Sequence, residues 1–154
     1  MIGVVIVSHC GLAEAFLSCS QNILGEIKAI NGVSIDASDS HEVALARIRA
    51  AVKQLGTVDA VLLLTDMFGG TPSNVSLALL EKGKVEVISG VNMPMLLHAV
   101  TTRDRAESLD ALAQSTARAG SKNMVIAGAL LDQSAVLKDP RGNDDDKKTK
   151  SVQN

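Results

Sequence analysis

Aromatic rings are almost missing: the 154 residues include two Phe and no Trp or Tyr. Sites that stack bases or a flavin need more rings than that. A dominant charge is missing too. Fifteen Lys and Arg stand against seventeen Asp and Glu, a net charge of −2. No basic footprint for a polyanion exists, so nucleic acid is excluded as a partner. Cys10 and Cys19 are the only cysteines, too few for a disulfide framework. Both stand in or beside apolar segments, where a free thiol behaves as a small hydrophobe, and a reducing compartment is expected. No apolar run is long enough to span a membrane. The opening MIGVVIVSH carries neither the basic stretch nor the cleavage site of a signal peptide. The expectation is a cytoplasmic protein without direct membrane insertion.

What is present is a globular pattern. Hydrophobic residues make up 46% of the chain, enough for a core in one domain. Ile2–Val7 reads as a buried strand. Leu12, Phe16, Cys19, Ser20 and Ile23 follow helical spacing, with Gly25 as a C-cap. Ile27–Ile35 reads as a second strand. Asp39 or Ser40 caps a helix whose face is Ala44, Ile48, Ala51, Val52 and Leu55, stopped by Gly56. Asp59–Thr65 is the clearest buried strand. Thr71 as N-cap and Pro72 at the first helical position predict a helix running to Gly83. Val85–Ile88 is a fourth strand, Met93–Thr102 a short helix, and Leu109, Leu112, Ala113 and Thr116 mark a helix ending at Gly120. Met124–Leu131 reads as a last strand. The domain is expected over 1–131. From Asp132 the composition shifts, and 132–154 is expected to be a disordered tail.

Alternation of strands and helices implies a doubly wound, mainly parallel α/β sheet. Ligands of such sheets bind beyond the carboxyl ends of the strands, at a topological switch point. If strands one and three are neighbours, Ser8-His9-Cys10-Gly11 and Asp66-Met67-Phe68-Gly69-Gly70-Thr71 meet there, with Gly90–Pro94 close by. A neutral imidazole nitrogen is a good nucleophile at neutral pH. A carboxylate on its other nitrogen fixes the tautomer and stabilises the positive charge that develops. Asp66 suits that role for His9. Phosphoryl transfer needs positioning and stabilisation of the equatorial oxygens. Gly69 and Gly70 let backbone N–H groups approach, and the Thr71 hydroxyl adds a donor. Phe68, Asn92, Met93 and Pro94 lie on the same loops and are expected to face a protein partner.

Each feature alone has a plainer reading. A lone His at a strand end is a polar loop residue, Asp66 a turn cap, Gly69-Gly70 a turn. Other site classes fit less well. A receiver domain needs an acidic pair after strand one and a Lys after strand five. An FMN site needs aromatic flanks. Adjacent residues on a strand point opposite ways, so His9 and Cys10 do not share a metal ion, and no metal or cofactor is expected. His41 and His98 read as ordinary surface and core residues, and Met95 as packing.

The segments GVVIVSHCGLAEAF, LLTDMFGGTPSN and ISGVNMPML resemble, in order and spacing, the mannose-family enzyme IIA of the bacterial phosphoenolpyruvate-dependent sugar phosphotransferase system. The resemblance covers Met1–Leu131. It implies a mainly parallel sheet with helices on both faces and a homodimer that can exchange an antiparallel C-terminal strand. It implies that His9 is phosphorylated by the phosphocarrier HPr, that Asp66 bonds its ring, and that Thr71 stands near the phosphate. The group would pass to an enzyme IIB partner, for sugar uptake or for regulation. Cys10 departs from the inert residue expected after the histidine. The phosphotransfer subunit of dihydroxyacetone kinase is a related alternative, disfavoured by DMFGGTPSN.

Overall fold

The computed structural model describes residues 1–130, and the first apolar run opens it as strand β1, Ile2–His9. Helix α1 (Leu12–Leu24), β2 (Ile30–Ile35), α2 (His41–Gln54), β3 (Ala60–Thr65) and α3 (Thr71–Leu77) follow. Then come β4 (Val85–Ser89), α4 (Met93–Thr102), a 3₁₀ turn at Arg103–Arg105, and α5 (Leu109–Lys122). The four strands form one all-parallel sheet in the order β2-β1-β3-β4. Strand order reverses beside β1, so the switch point falls between β1 and β3, as the sequence implied.

Because side chains alternate across a strand, each face of the sheet builds its own core. Val4, Ile6, Leu62 and Leu64 pack against Ala13 of α1, Leu96 and Ala99 of α4, and Leu109 and Leu112 of α5. Val5, Val7, Val61 and Leu63 pack against Ala44, Ile48 and Ala51 of α2 and Val75 of α3. Six consecutive residues of β3 are buried, the signature of a strand covered on both faces. The expected α2 face is buried apart from half-buried Val52, and Ser40 caps the helix by accepting from Val43 N–H.

Several expectations change. On α1 the buried positions are Ala13 and Ser20, while Leu12, Cys19 and Ile23 are exposed. The reason is close packing: a Cβ on Gly32 of β2 would lie 3.3 Å from the Ala13 carbonyl oxygen, so small residues take the inward positions. Both cysteines are exposed thiols rather than packed ones. Gly70, not Thr71, is the N-cap of α3, because its carbonyl already accepts from Asn74 N–H at 2.9 Å. That helix stops at Leu77, and Glu81–Val85 closes a turn in which Gly83 has φ +73°.

The second strand starts at Ile30, after Ala29 with φ +48°. The Ala29 carbonyl accepts from Val4 N–H and from the buried Arg103 guanidinium, which also donates to the Lys28 carbonyl. Residues 124–130 fall outside the unit formed by Met1–Asn123. The expected strand at Met124–Leu131 is not formed: 124–126 have no regular structure and 127–130 are helical. Ala127, Ala129 and Leu130 are strong helix formers, and Val125 and Ile126 have no ladder partner among the described residues. The expected tail, 132–154, lies outside the described residues.

Gly120 is inside α5 rather than at its end, and a Cβ there would sit 2.2 Å from Met95 Cγ. Alanine gains about 1 kcal/mol of helix propensity over glycine, but overpacking costs about 1–3 kcal/mol. Gly120→Ala should therefore destabilise the protein, lowering the urea midpoint. An equal or raised midpoint would show that Met95 yields freely.

Candidate active site

The apolar run of β1 carries its strand geometry through to His9, which pairs with Ile35 of β2. β3 ends one residue before Asp66. Parallel strands with Val7 opposite Thr65 bring both ends to one rim. There Asp66 Oδ2 accepts twice from His9, from its backbone N–H at 2.9 Å and from ring Nδ1 at 2.8 Å. Asp66 Oδ1 accepts from Met67 N–H at 2.9 Å. A carboxylate only accepts, so Nδ1 carries a hydrogen, and in the neutral ring Nε2 then holds the lone pair.

Burial alone would raise the Asp66 pKa. Hydrogen bonds from the His9 backbone and ring, and from Met67, outweigh burial and hold the carboxyl below its ordinary value of 3.8. The Asp66 side chain is 12% exposed and the His9 side chain 39%. The carboxylate is thus sheltered while the ring is open to a partner.

Gly70 lies against the other side of the ring. A Cβ there would stand 2.6 Å from His9 Cε1 and 3.1 Å from Nε2, so only glycine fits without displacing the imidazole. Gly69 has φ +86°, a left-handed turn that aims the following backbone at the ring. Thr71 opens α3 with an exposed side chain beside them. His9, Asp66, Gly69, Gly70 and Thr71 therefore belong to one rim, as expected.

The proposed partner-facing residues divide. Phe68 is 75% exposed and Met67 beside it 55%. Asn92 caps α4 by accepting from Met95 N–H at 3.0 Å, and Met93 packs against the core from a half-buried position. Pro94 is half-buried in the first turn of α4. His41 is exposed and His98 half-buried. Among the described residues no cluster of His, Cys, Asp and Glu suits a metal ion. No helix among them is long and apolar enough to cross a membrane.

Three supports were missed in the sequence. Asn74 holds the glycine loop, donating to the Gly69 carbonyl at 3.3 Å from its side chain and to the Gly70 carbonyl from its backbone. β2 also reaches the site: Cys10 N–H donates to the Ile35 carbonyl, and the Ser34 hydroxyl donates to the Cys10 carbonyl. Together they hold Cys10 at φ +49°, a left-handed conformation that costs a non-glycine residue about 1–2 kcal/mol. Asn in DMFGGTPSN was a readable signal; the Cys10 conformation was not.

Comparison with known proteins gives the family and the fold. Residues 3–117 match the family described as the PTS system fructose IIA component. The PTS system mannose-specific EIIAB component of Escherichia coli (strain K12) is 35% identical over 125 residues, 79% of this chain and 39% of that protein. The chain thus spans well under half the length of that relative. The crystal structure of phosphotransferase system component EIIA from Streptococcus agalactiae is 30% identical. It superposes with a TM-score of 0.76 over 84% of this chain and 99% of that one. The mannose/sorbose specific IIA subunit from Enterococcus faecalis gives 30% identity and a TM-score of 0.71, over 80% and 92% of the two chains.

Two outcomes follow from the rim. The native Asp66 carboxyl ionises below the unfolded one, so its stabilisation is complete above the ordinary carboxylate range. It is lost as pH falls through the depressed native value. The stability gap between wild type and Asp66→Asn should be full at neutral pH and close in strong acid, read by urea unfolding at each pH. A gap independent of pH would refute the ionised, bonded Asp66. Cys10→Gly relieves left-handed strain of about 1–2 kcal/mol and loses about 0.5–1 kcal/mol to chain entropy. Its unfolding free energy should match or exceed wild type by up to about 1.5 kcal/mol, and a clear loss would show that the thiol packs.

Proposed function

The chain belongs to the PTS fructose IIA component family, and on that premise we propose that it is a phosphoryl carrier accepting on His9 Nε2. One observation carries the reading: Asp66 occupies Nδ1 at 2.8 Å and leaves Nε2 at the open edge of the ring, beside Gly70. In the step, the Nε2 lone pair forms the new bond to phosphorus as the donor's bond to phosphorus breaks. The Nδ1 hydrogen stays on the ring, and the Asp66 carboxylate stabilises the positive charge that develops there. Backbone N–H groups of Gly69, Gly70 and Thr71, with the Thr71 hydroxyl, face the equatorial oxygens. Return of the group to an acceptor reverses the same step.

The donor in this reading is an HPr-like phosphocarrier and the acceptor an enzyme IIB protein. Phe68 and Met67 supply the apolar contact that a protein partner needs next to a polar nucleophile. Two copies of the chain assemble as a homodimer. The edge of β4, whose five side chains are only half-buried, offers surface for it. Sedimentation velocity checks that assembly.

The test is direct. Phosphoenolpyruvate, enzyme I and HPr should place on the chain one phosphoryl group that acid removes and alkali does not. His9→Ala should carry none, and an adduct surviving that change would end the proposal. Gly70→Ala should fold and yet accept at least about tenfold more slowly, because its methyl displaces the ring. Phe68→Ala should raise the KM for the donor by about tenfold with kcat little changed.

A further inference from the structure

We infer that Thr65, Ser73 and Ser89 form a hydroxyl clamp that sets the Asp66–Gly70 loop against the His9 ring. They are positioning residues, and their chemical consequence rests on the phosphoryl-carrier reading. Thr65 ends β3, Ser89 ends β4, and Ser73 lies in the first turn of α3. Thr65 and Ser73 are fully buried. The Ser89 hydroxyl shares a hydrogen bond of 2.8 Å with Thr65 Oγ1 and a longer one of 3.3 Å with Ser73 Oγ. The Thr65 carbonyl also accepts from Val91 N–H at 2.9 Å, which joins the chain just beyond β4 to the same point.

The segment between the clamped residues is the one that touches the imidazole. Asp66 holds Nδ1, and Gly70 bounds Cε1 and Nε2. So one loop grips both sides of the ring, and both ends of that loop are tied to one hydroxyl. The loop needs the tie. Gly69 and Gly70 give its backbone more freedom than any other residue pair would.

Apolar packing alone would not supply the tie. Valine would fill the Thr65 site with nearly the same volume, and replacing buried hydroxyl pairs by apolar groups is close to neutral for stability. A hydrogen bond adds direction, which a methyl contact lacks. Hydroxyls at these three positions therefore serve geometry more than stability.

The test uses the full chain with Thr65→Val, Ser89→Ala, Ser73→Ala and Ser89→Thr. Nitrogen-15 NMR of the unphosphorylated protein reads the His9 ring tautomer, HPr-driven phosphorylation reads the rate, and urea unfolding reads stability. Thr65→Val and Ser89→Ala should slow acceptance about tenfold and move the ring from the Nδ1–H form toward a tautomer mixture. The Thr65→Val midpoint should stay near wild type, because Ser89 keeps its bond to Ser73. The Ser89→Ala midpoint should fall, because Thr65 Oγ1 is left buried and unpaired. Ser89→Thr should restore ring and rate together. A wild-type ring spectrum in both hydroxyl-free variants would overturn the clamp, as would a rate loss that merely tracks stability. If wild type accepts no phosphoryl group, the carrier reading falls and the ring spectrum alone decides the clamp. If Ser89→Ala does not fold, Ser73→Ala decides it: losing the longer bond should shift the ring less in the same direction, and no shift refutes the clamp.

Discussion

Parallel pairing of β1 with β3, Val7 opposite Thr65, is the constraint on which the site depends. It places the last residue of β1 beside the first residue after β3, and the Asp66 carboxylate then reaches both the backbone and the ring of His9. Side chains on a strand alternate with period two, so a slip of one residue would turn every inward side chain outward. Both faces of these strands are buried, under α1, α4 and α5 on one side and α2 and α3 on the other. The slip is therefore penalised twice. Leu62 and Leu64 fix the register on one face, Val61 and Leu63 on the other, and the imidazole–carboxylate distance follows from packing far below the rim.

Local conformational rules hold through the core and break at the rim. Cys10 takes a left-handed conformation without being glycine, Gly69 takes one as glycine, and Gly70 leaves no room for a side chain beside His9. Such strain persists only where surrounding structure over-determines it. Here β2 holds Cys10 through Ser34 and Ile35, and Asn74 holds the glycines. The unfavourable conformations are thus concentrated around one imidazole, where position matters more than stability.

Much of this was legible in the chain. The β-branched and leucine runs of β1 and β3 have no other good solution than buried parallel strands. α4 was readable to the residue because Pro94 suits its first turn; that Asn92 caps it was not read. The convergence of His9, Asp66 and the glycines followed once strands one and three were neighbours. Other features depend on distances between elements and leave no trace in hydropathy. Ala13 and Ser20 face inward because α1 lies close to Gly32, so the larger Leu12 and Ile23 turn out. Gly120 resembles a helix stop and instead makes room for Met95. Val125 and Ile126 have strand chemistry, but a strand also needs an edge to pair with, and alanines beside them favour a helical turn.

On the proposed chemistry, the charges absent from the rim matter as much as those present. No Lys or Arg occurs in Ser8–Gly11, Asp66–Thr71 or Gly90–Pro94. A hydrogen bond from a charged donor contributes about 1.5–3 kcal/mol, against about 1 kcal/mol for a neutral one. A cationic clamp on the phosphorylated ring would deepen that state by the difference. Release would slow by about twofold to about thirtyfold for each such contact, unless the transition state gained equally. Backbone N–H groups and a threonine hydroxyl orient the oxygens without deepening the state as much. The one full charge at the site, Asp66, acts across the ring through Nδ1 and stabilises the imidazolium rather than the phosphate. A carrier that must give up its group as readily as it takes it is served by that division: the anion steadies the ring, and neutral donors guide the phosphoryl group.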